Sequence, residues 1–296
     1  MKNNEKKSIV SGRTYETAYS LDNYMVQIDE KINNNICVIY VSSSGIYYPN
    51  TENALEECII KKNIFEWYGT RFNKARKHIF IRDVSKQFYI TGINKKINSV
   101  DEVISFLERE IDGFEVYVVG SSAGGYMASL VAVKLDAKML ICFSGYFNLN
   151  IVDHDIWFYI SKFRDDEKRS KYFNISDIVN DYKGLMLYFY PSKLEDDVLQ
   201  SKEICEKNNI YKIAVKSKIH GVPISMNVTK ELFSLTAEEI KDKLDFILLF
   251  RNKTQREIDC LWFGMLKGNY LFISNYFRRE VKRITNYVKR KFLFRR

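Results

Sequence analysis

Gly120-Ser121-Ser122-Ala123-Gly124 sets a hydroxyl between two glycines four residues apart. The apolar run Phe114–Val119 comes before it, and a small-residue helical stretch, Tyr126–Leu135, follows. This is the strand–turn–helix context of a G-x-S-x-G nucleophile elbow, in which the serine sits at the apex of a sharp turn and its neighbours two residues away must be small. Gly120 and Gly124 meet that condition for Ser122, whereas Val119 and Ala123 fail it for Ser121. Ser122 is therefore the candidate nucleophile. The competing reading is a Gly/Ser turn that holds a phosphate; a P-loop is excluded, since no Gly-Lys-Ser/Thr follows, and GxGxxG is not matched.

A serine hydroxyl needs a base, and the chain has three histidines. His78 opens a strand run upstream of the serine, and His154 lies between two aspartates in an irregular stretch. His220 follows the last strand candidate, Tyr211–Val215, on a loop. In parallel-sheet enzymes with this elbow the order is serine, acid, histidine, so His220 is the expected base. The acid belongs just after the penultimate strand, Leu185–Tyr190, where Glu195, Asp196 and Asp197 compete. Asp196 is favoured, with Asp197 next. The oxyanion hole needs two backbone N–H donors. Ala123 supplies one, and Ser43 or Ser44, in the loop after Ile36–Val41, supplies the other.

These residues need a scaffold. Short apolar runs at 36–41, 78–84, 114–119, 139–143, 185–190 and 211–215 alternate with helical patterns, among them Ser99–Ile111 and Val198–Lys207. Such alternation predicts an α/β domain over residues 36–235, a mostly parallel sheet covered by helices on both faces. Residues 1–35 read as an N-terminal extension, and 147–182 as an aromatic-rich, lid-like excursion. Residues 236–296 read as a helical C-terminal extension opened by the capping box Thr236-Ala-Glu-Glu239.

The elbow GSSAGG, the late IHG and the acid between them resemble the α/β-hydrolase superfamily of serine esterases and acyltransferases. More narrowly, SSSGIYYPNT, IRDVSKQFYITGIN and GSSAGGYMASL are similar to hydrolase-like proteins of bacterial surface-polysaccharide biosynthesis and to the accessory Sec system glycan O-acetyltransferase group. The resemblance implies acyl-ester hydrolysis or O-acyl transfer on a glycan or lipid-linked sugar, through a Ser-His-Asp triad and without a metal or redox cofactor. The sequence lacks the HGGG loop of lipase relatives. A catalytically weak hydrolase-fold protein that scaffolds a membrane-bound polysaccharide assembly is the alternative.

Composition narrows the setting. The 296 residues carry 46 Lys+Arg against 37 Asp+Glu, a net charge of +9. Nine Lys/Arg and one Glu lie between residues 271 and 296, so the body is nearly neutral and the basic character belongs to a tail. Nucleic-acid binding is not expected, because no second basic patch or recognised motif accompanies the tail. Read as a helix, the tail is basic and amphipathic; it suits an anionic bilayer, the protein's own body or an acidic partner. Five widely spaced cysteines form no CxxC pair and suggest neither zinc nor a disulfide framework. No signal peptide or spanning segment is evident, so the expected location is cytoplasmic, with peripheral attachment to the inner membrane face.

Overall fold

The computed structural model describes residues 9–274. Seven strands form one sheet: β1 (Tyr24–Ile28), β2 (Ile36–Val41), β3 (Lys77–Ile81), β4 (Glu115–Ser121), β5 (Met139–Phe143), β6 (Leu185–Pro191) and β7 (Ile210–Val215). Their order is β1-β3-β2-β4-β5-β6-β7. All neighbours run parallel except β1, which pairs antiparallel with β3 at one edge. Strands β2 and β5 are buried along their whole length, as continuous Val/Ile/Cys/Phe runs require when both faces are covered.

The pleat sends alternate residues into two cores. On one face Ile39, Val118, Leu140 and Met186 pack with Val103, Phe106 and Leu107 of helix α1 (Val100–Glu110) and with Ala128 and Val131 of helix α2 (Ala123–Lys134). Helix α1 starts where Ser99 accepts the Glu102 N–H, an N-cap. On the other face Val38, Tyr40, Val119, Ile141 and Phe189 pack with Val228, Leu232, Ala237, Ile240, Ile247 and Ile258.

Two of the expected boundaries do not separate packing units. Tyr24–Ile28, inside the supposed N-terminal extension, is an edge strand of the sheet. Its YMVQI sequence is only half-buried, which explains its weak apolar signal. Past residue 235 the capping box forms as expected, with Thr236 accepting the Glu239 N–H. The helices that follow, including α4 (Gln255–Phe263), still bury Ile240, Ile247, Phe250 and Ile258 in the core shared with the sheet.

Candidate active site

Register brings the functional loops together. Val41 pairs with Gly120, Ser121 with Phe143, Phe143 with Phe189 and Pro191 with Val215, so β2, β4, β5, β6 and β7 end at one edge. The segments beyond these carboxyl ends carry Ser43 and Ser44, Ser122, Tyr146, Asp197 and His220, the usual place for a site in a parallel sheet.

Ser122 sits between β4 and α2 with φ 56° and ψ −125°, a conformation a non-glycine residue rarely holds. Such strain costs about 1–3 kcal/mol, and the packing around the elbow has to enforce it. The glycines show how. A Cβ on Gly120 would lie 2.2 Å from the Gly124 carbonyl oxygen, and one on Gly124 would lie 2.4 Å from the Val41 carbonyl oxygen. The strand, the turn and the end of β2 thus touch backbone to backbone. That contact sets the loop after β2 beside the serine.

His220 Nε2 lies 2.8 Å from Ser122 Oγ, and its Nδ1 lies 2.9 Å from Asp197 Oδ2. An ionised carboxylate only accepts, so in the neutral ring Nδ1 carries the proton and Nε2 offers its lone pair to the serine hydroxyl. Asp197 is 3% exposed, in the first turn of helix α3 (Glu195–Lys202), where the exposed N–H groups favour negative charge. The imidazole side chain is 36% exposed, and the Tyr146 ring covers it at 5.7 Å. Sheet order, antiparallel edge, strained elbow and serine–histidine contact together decide the architecture. The chain has the α/β-hydrolase fold.

One expectation is corrected here. The imidazole meets Asp197, not the favoured Asp196, because successive helical residues point about 100° apart and only one of the three acids faces the ring. Asp196 and Glu195 line the cavity instead. Burial, then the carboxylates of Asp153, Asp197 and Glu195, push the Asp196 carboxyl up from its usual range. His78 is buried elsewhere, with Nδ1 3.1 Å from the Tyr40 hydroxyl, and burial lowers its pKa to about 4.

The two expected oxyanion donors of the β2 loop also separate. The Ser43 N–H donates to Glu66 Oε2 at 2.5 Å, and its hydroxyl donates to Glu66 Oε1 at 2.8 Å. The Ser44 and Ala123 N–H groups have no partner among the described residues. Ser44 lines a cavity of about 510 Å³ together with Ser122 and His220. The rest of the wall is mixed. Phe88, Tyr146, Ile156, Tyr159 and Ile160 are apolar or aromatic; Asn50, Lys86, Asp153, Glu195 and Asp196 are polar. Part of the 147–182 stretch thus lines the cavity, through Ile156, Tyr159 and Ile160. Lys86 is nearly buried, its ammonium bound to the Tyr47 carbonyl and to Asn50 Oδ1 at 2.6 Å each, and desolvation brings its pKa down to about 7. Glu66 lies in no motif, and the stretch IRDVSKQFYITGIN that contains Lys86 resembles a family without giving this lysine a role, so local spacing singles out neither residue. Among the described residues no group of three or more His, Cys, Asp or Glu is placed to hold a metal ion.

No protein-family model and no curated protein matches the chain. Among solved structures, it is similar to the capsule O-acetyltransferase of Neisseria meningitidis serogroup A, with 12% identity and a TM-score of 0.45, over 76% of this chain and 93% of that one. An S-formylglutathione hydrolase from Agrobacterium tumefaciens gives 12% identity and a TM-score of 0.46, over 76% and 88% of the two chains. MenH from S. aureus gives 12% and 0.45, over 76% and 100%.

Proposed function

We propose that the protein is a serine esterase or O-acyltransferase that acts on acyl esters of a glycan or lipid-linked sugar. The observation that carries the reading is the Ser122–His220–Asp197 chain of contacts at a strained elbow open to a cavity. Ser122 Oγ attacks the ester carbonyl while His220 Nε2 takes its proton. Asp197 holds the ring and stabilises its charged form. The Ala123 and Ser44 N–H groups donate to the tetrahedral oxyanion. His220 then returns the proton to the departing alcohol. Water or a sugar hydroxyl attacks the acyl-enzyme, with His220 again as base, and frees Ser122.

A sugar as one partner is supported by the cavity wall. Aromatic rings at Phe88, Tyr146 and Tyr159 can cover the C–H faces of a pyranose, and Asn50, Glu195 and Asp196 can bond its hydroxyls. Fluorophosphonate labelling of wild type and Ser122→Ala, with hydrolysis of p-nitrophenyl acetate and of an O-acetylated hexosamine, tests the reading. Serine-dependent labelling and turnover are expected. A folded wild type that neither labels nor turns over would refute it.

The tail belongs to the same proposal. Most of residues 271–296 lies outside the described residues, but the helical turns leading to it expose Met265, Leu266, Tyr270 and Ile273. Apolar side chains next to eight net positive charges suit a bilayer with anionic lipids, each charge near the surface adding about 1 kcal/mol. No helix among the described residues is long and apolar enough to cross a membrane. The proposed attachment is peripheral, through this basic and apolar segment, at the inner face. Co-sedimentation with vesicles containing phosphatidylglycerol should be lost when residues 265–296 are removed; equal binding by both forms would exclude it.

A further inference from the structure

The loop after β2 has to hold an N–H donor still, yet it has little regular structure to do so. Ser42 is tied at both ends of its backbone: its N–H donates to the Ile81 carbonyl, and its carbonyl accepts the Tyr89 hydroxyl. Beyond it, from Ser43 to Gly45, the loop is braced by one side chain from another part of the chain. Glu66 accepts both the N–H and the hydroxyl of Ser43, and Ser43 Oγ in turn accepts the Gly45 N–H at 2.9 Å. The flanks of Glu66 are themselves anchored. Phe65 is buried in the core, the Ile64 carbonyl accepts from Arg82, and the Trp67 indole donates to the Val41 carbonyl at 3.3 Å. Trp67 also stacks on Phe143 at the end of β5.

We infer that Glu66 is a positioning residue for the oxyanion hole: its carboxylate clamps Ser43 so that the Ser44 N–H, which has no partner among the described residues, faces the cavity beside Ser122. This inference rests on the serine-esterase reading and extends it. A carboxylate suits the task because its two oxygens take both donors of one residue, which fixes the backbone plane and the side chain together. With the Ser43 N–H occupied, the loop cannot turn that group toward the substrate in place of the Ser44 N–H. A preorganised donor matters most when charge develops, so the clamp acts on the transition state more than on substrate binding. Burial raises the Glu66 pKa, an effect the two Ser43 bonds oppose. Protonated Glu66, like glutamine, can still accept the N–H through one atom and donate to Ser43 Oγ through the other. The clamp therefore survives a change in its charge.

The test uses the full chain and p-nitrophenyl acetate, with a trifluoromethyl ketone as a mimic of the tetrahedral adduct. Glu66→Ala is expected to lower kcat about 100-fold with KM changed less than about threefold, near the low end for losing one oxyanion donor. Affinity for the ketone should fall by a similar factor. Glu66→Gln should recover most of the kcat, which a purely electrostatic role would not allow. Ser43→Ala keeps the N–H contact and loses the hydroxyl contact, so it should cost about three- to tenfold in kcat, and it keeps the test open if Glu66→Ala does not fold. Wild-type kcat in folded Glu66→Ala or Ser43→Ala, a change confined to KM, or Glu66→Gln as impaired as Glu66→Ala would overturn the inference. Turnover that survives Ser122→Ala would instead remove the reading beneath it, so the two failures are told apart.

Discussion

Asparagine at position 197 tests the central geometry most sharply. The Asp197 carboxylate is 3% exposed and accepts from His220 Nδ1 at 2.9 Å. An amide there loses the charge that stabilises the imidazolium. If its NH₂ faces the ring, it also forces the ring proton onto Nε2, the atom that must accept from Ser122. Loss of both orientation and charge in a triad of this kind costs about 10⁴-fold in kcat, about 5.4 kcal/mol of transition-state stabilisation. Asp196→Asn removes a cavity carboxylate that does not touch the ring, so it should cost less than about tenfold. The assay is steady-state hydrolysis of p-nitrophenyl acetate, with thermal melts to show that both variants fold. Equal losses in the two variants, or an active Asp197→Asn, would refute the assignment of Asp197 as the acid. Fluorophosphonate labelling should slow in parallel with kcat, because it draws on the same activated hydroxyl.

Other perturbations follow from the same contacts. Gly120→Ala places a Cβ 2.2 Å from the Gly124 carbonyl oxygen and 2.6 Å from the Ala128 Cβ; it should lower stability by about 1–3 kcal/mol in urea denaturation and slow labelling, because the elbow must open to relieve the overlap. His78 titrates near 4 in the folded chain and near 6.5 unfolded, so the unfolded state binds more protons between these values. Stability is then complete above about pH 6.5 and falls as the pH drops toward 4, by about 2.5 kcal/mol at pH 4.5 from this residue. His78→Phe should remove that share of the loss when denaturation at pH 7 and 4.5 is compared. Its Tyr40 partner keeps a second bond, from the Phe72 N–H.

The parts of the site visible in the sequence are those set by local backbone. A sharp turn with a serine at its apex needs small residues two positions away on each side, so Gly120 and Gly124 single out Ser122 without reference to any distant contact. The alternation of buried strands and helices likewise showed the parallel sheet, because full burial leaves continuous apolar runs such as Ile36–Val41. The edge strand Tyr24–Ile28 has no such run, since one ladder and partial exposure do not require it.

The sequence by itself determined which serine sits at the elbow, which histidine arrives in the right order, and how sheet and helices alternate. Only the tertiary structure decided which acid meets the imidazole and which of the two serine N–H groups is taken by another side chain. Glu195, Asp196 and Asp197 are chemically close and adjacent, and their choice depends on how the first turn of α3 is rotated against a loop twenty-three residues on. Ser43 and Ser44 are identical in type, and they part only because Glu66, itself in no motif, comes across from another segment to take the Ser43 N–H. Local spacing constrains backbone shape, whereas the direction of a single side chain or N–H is set by packing between segments far apart in the chain.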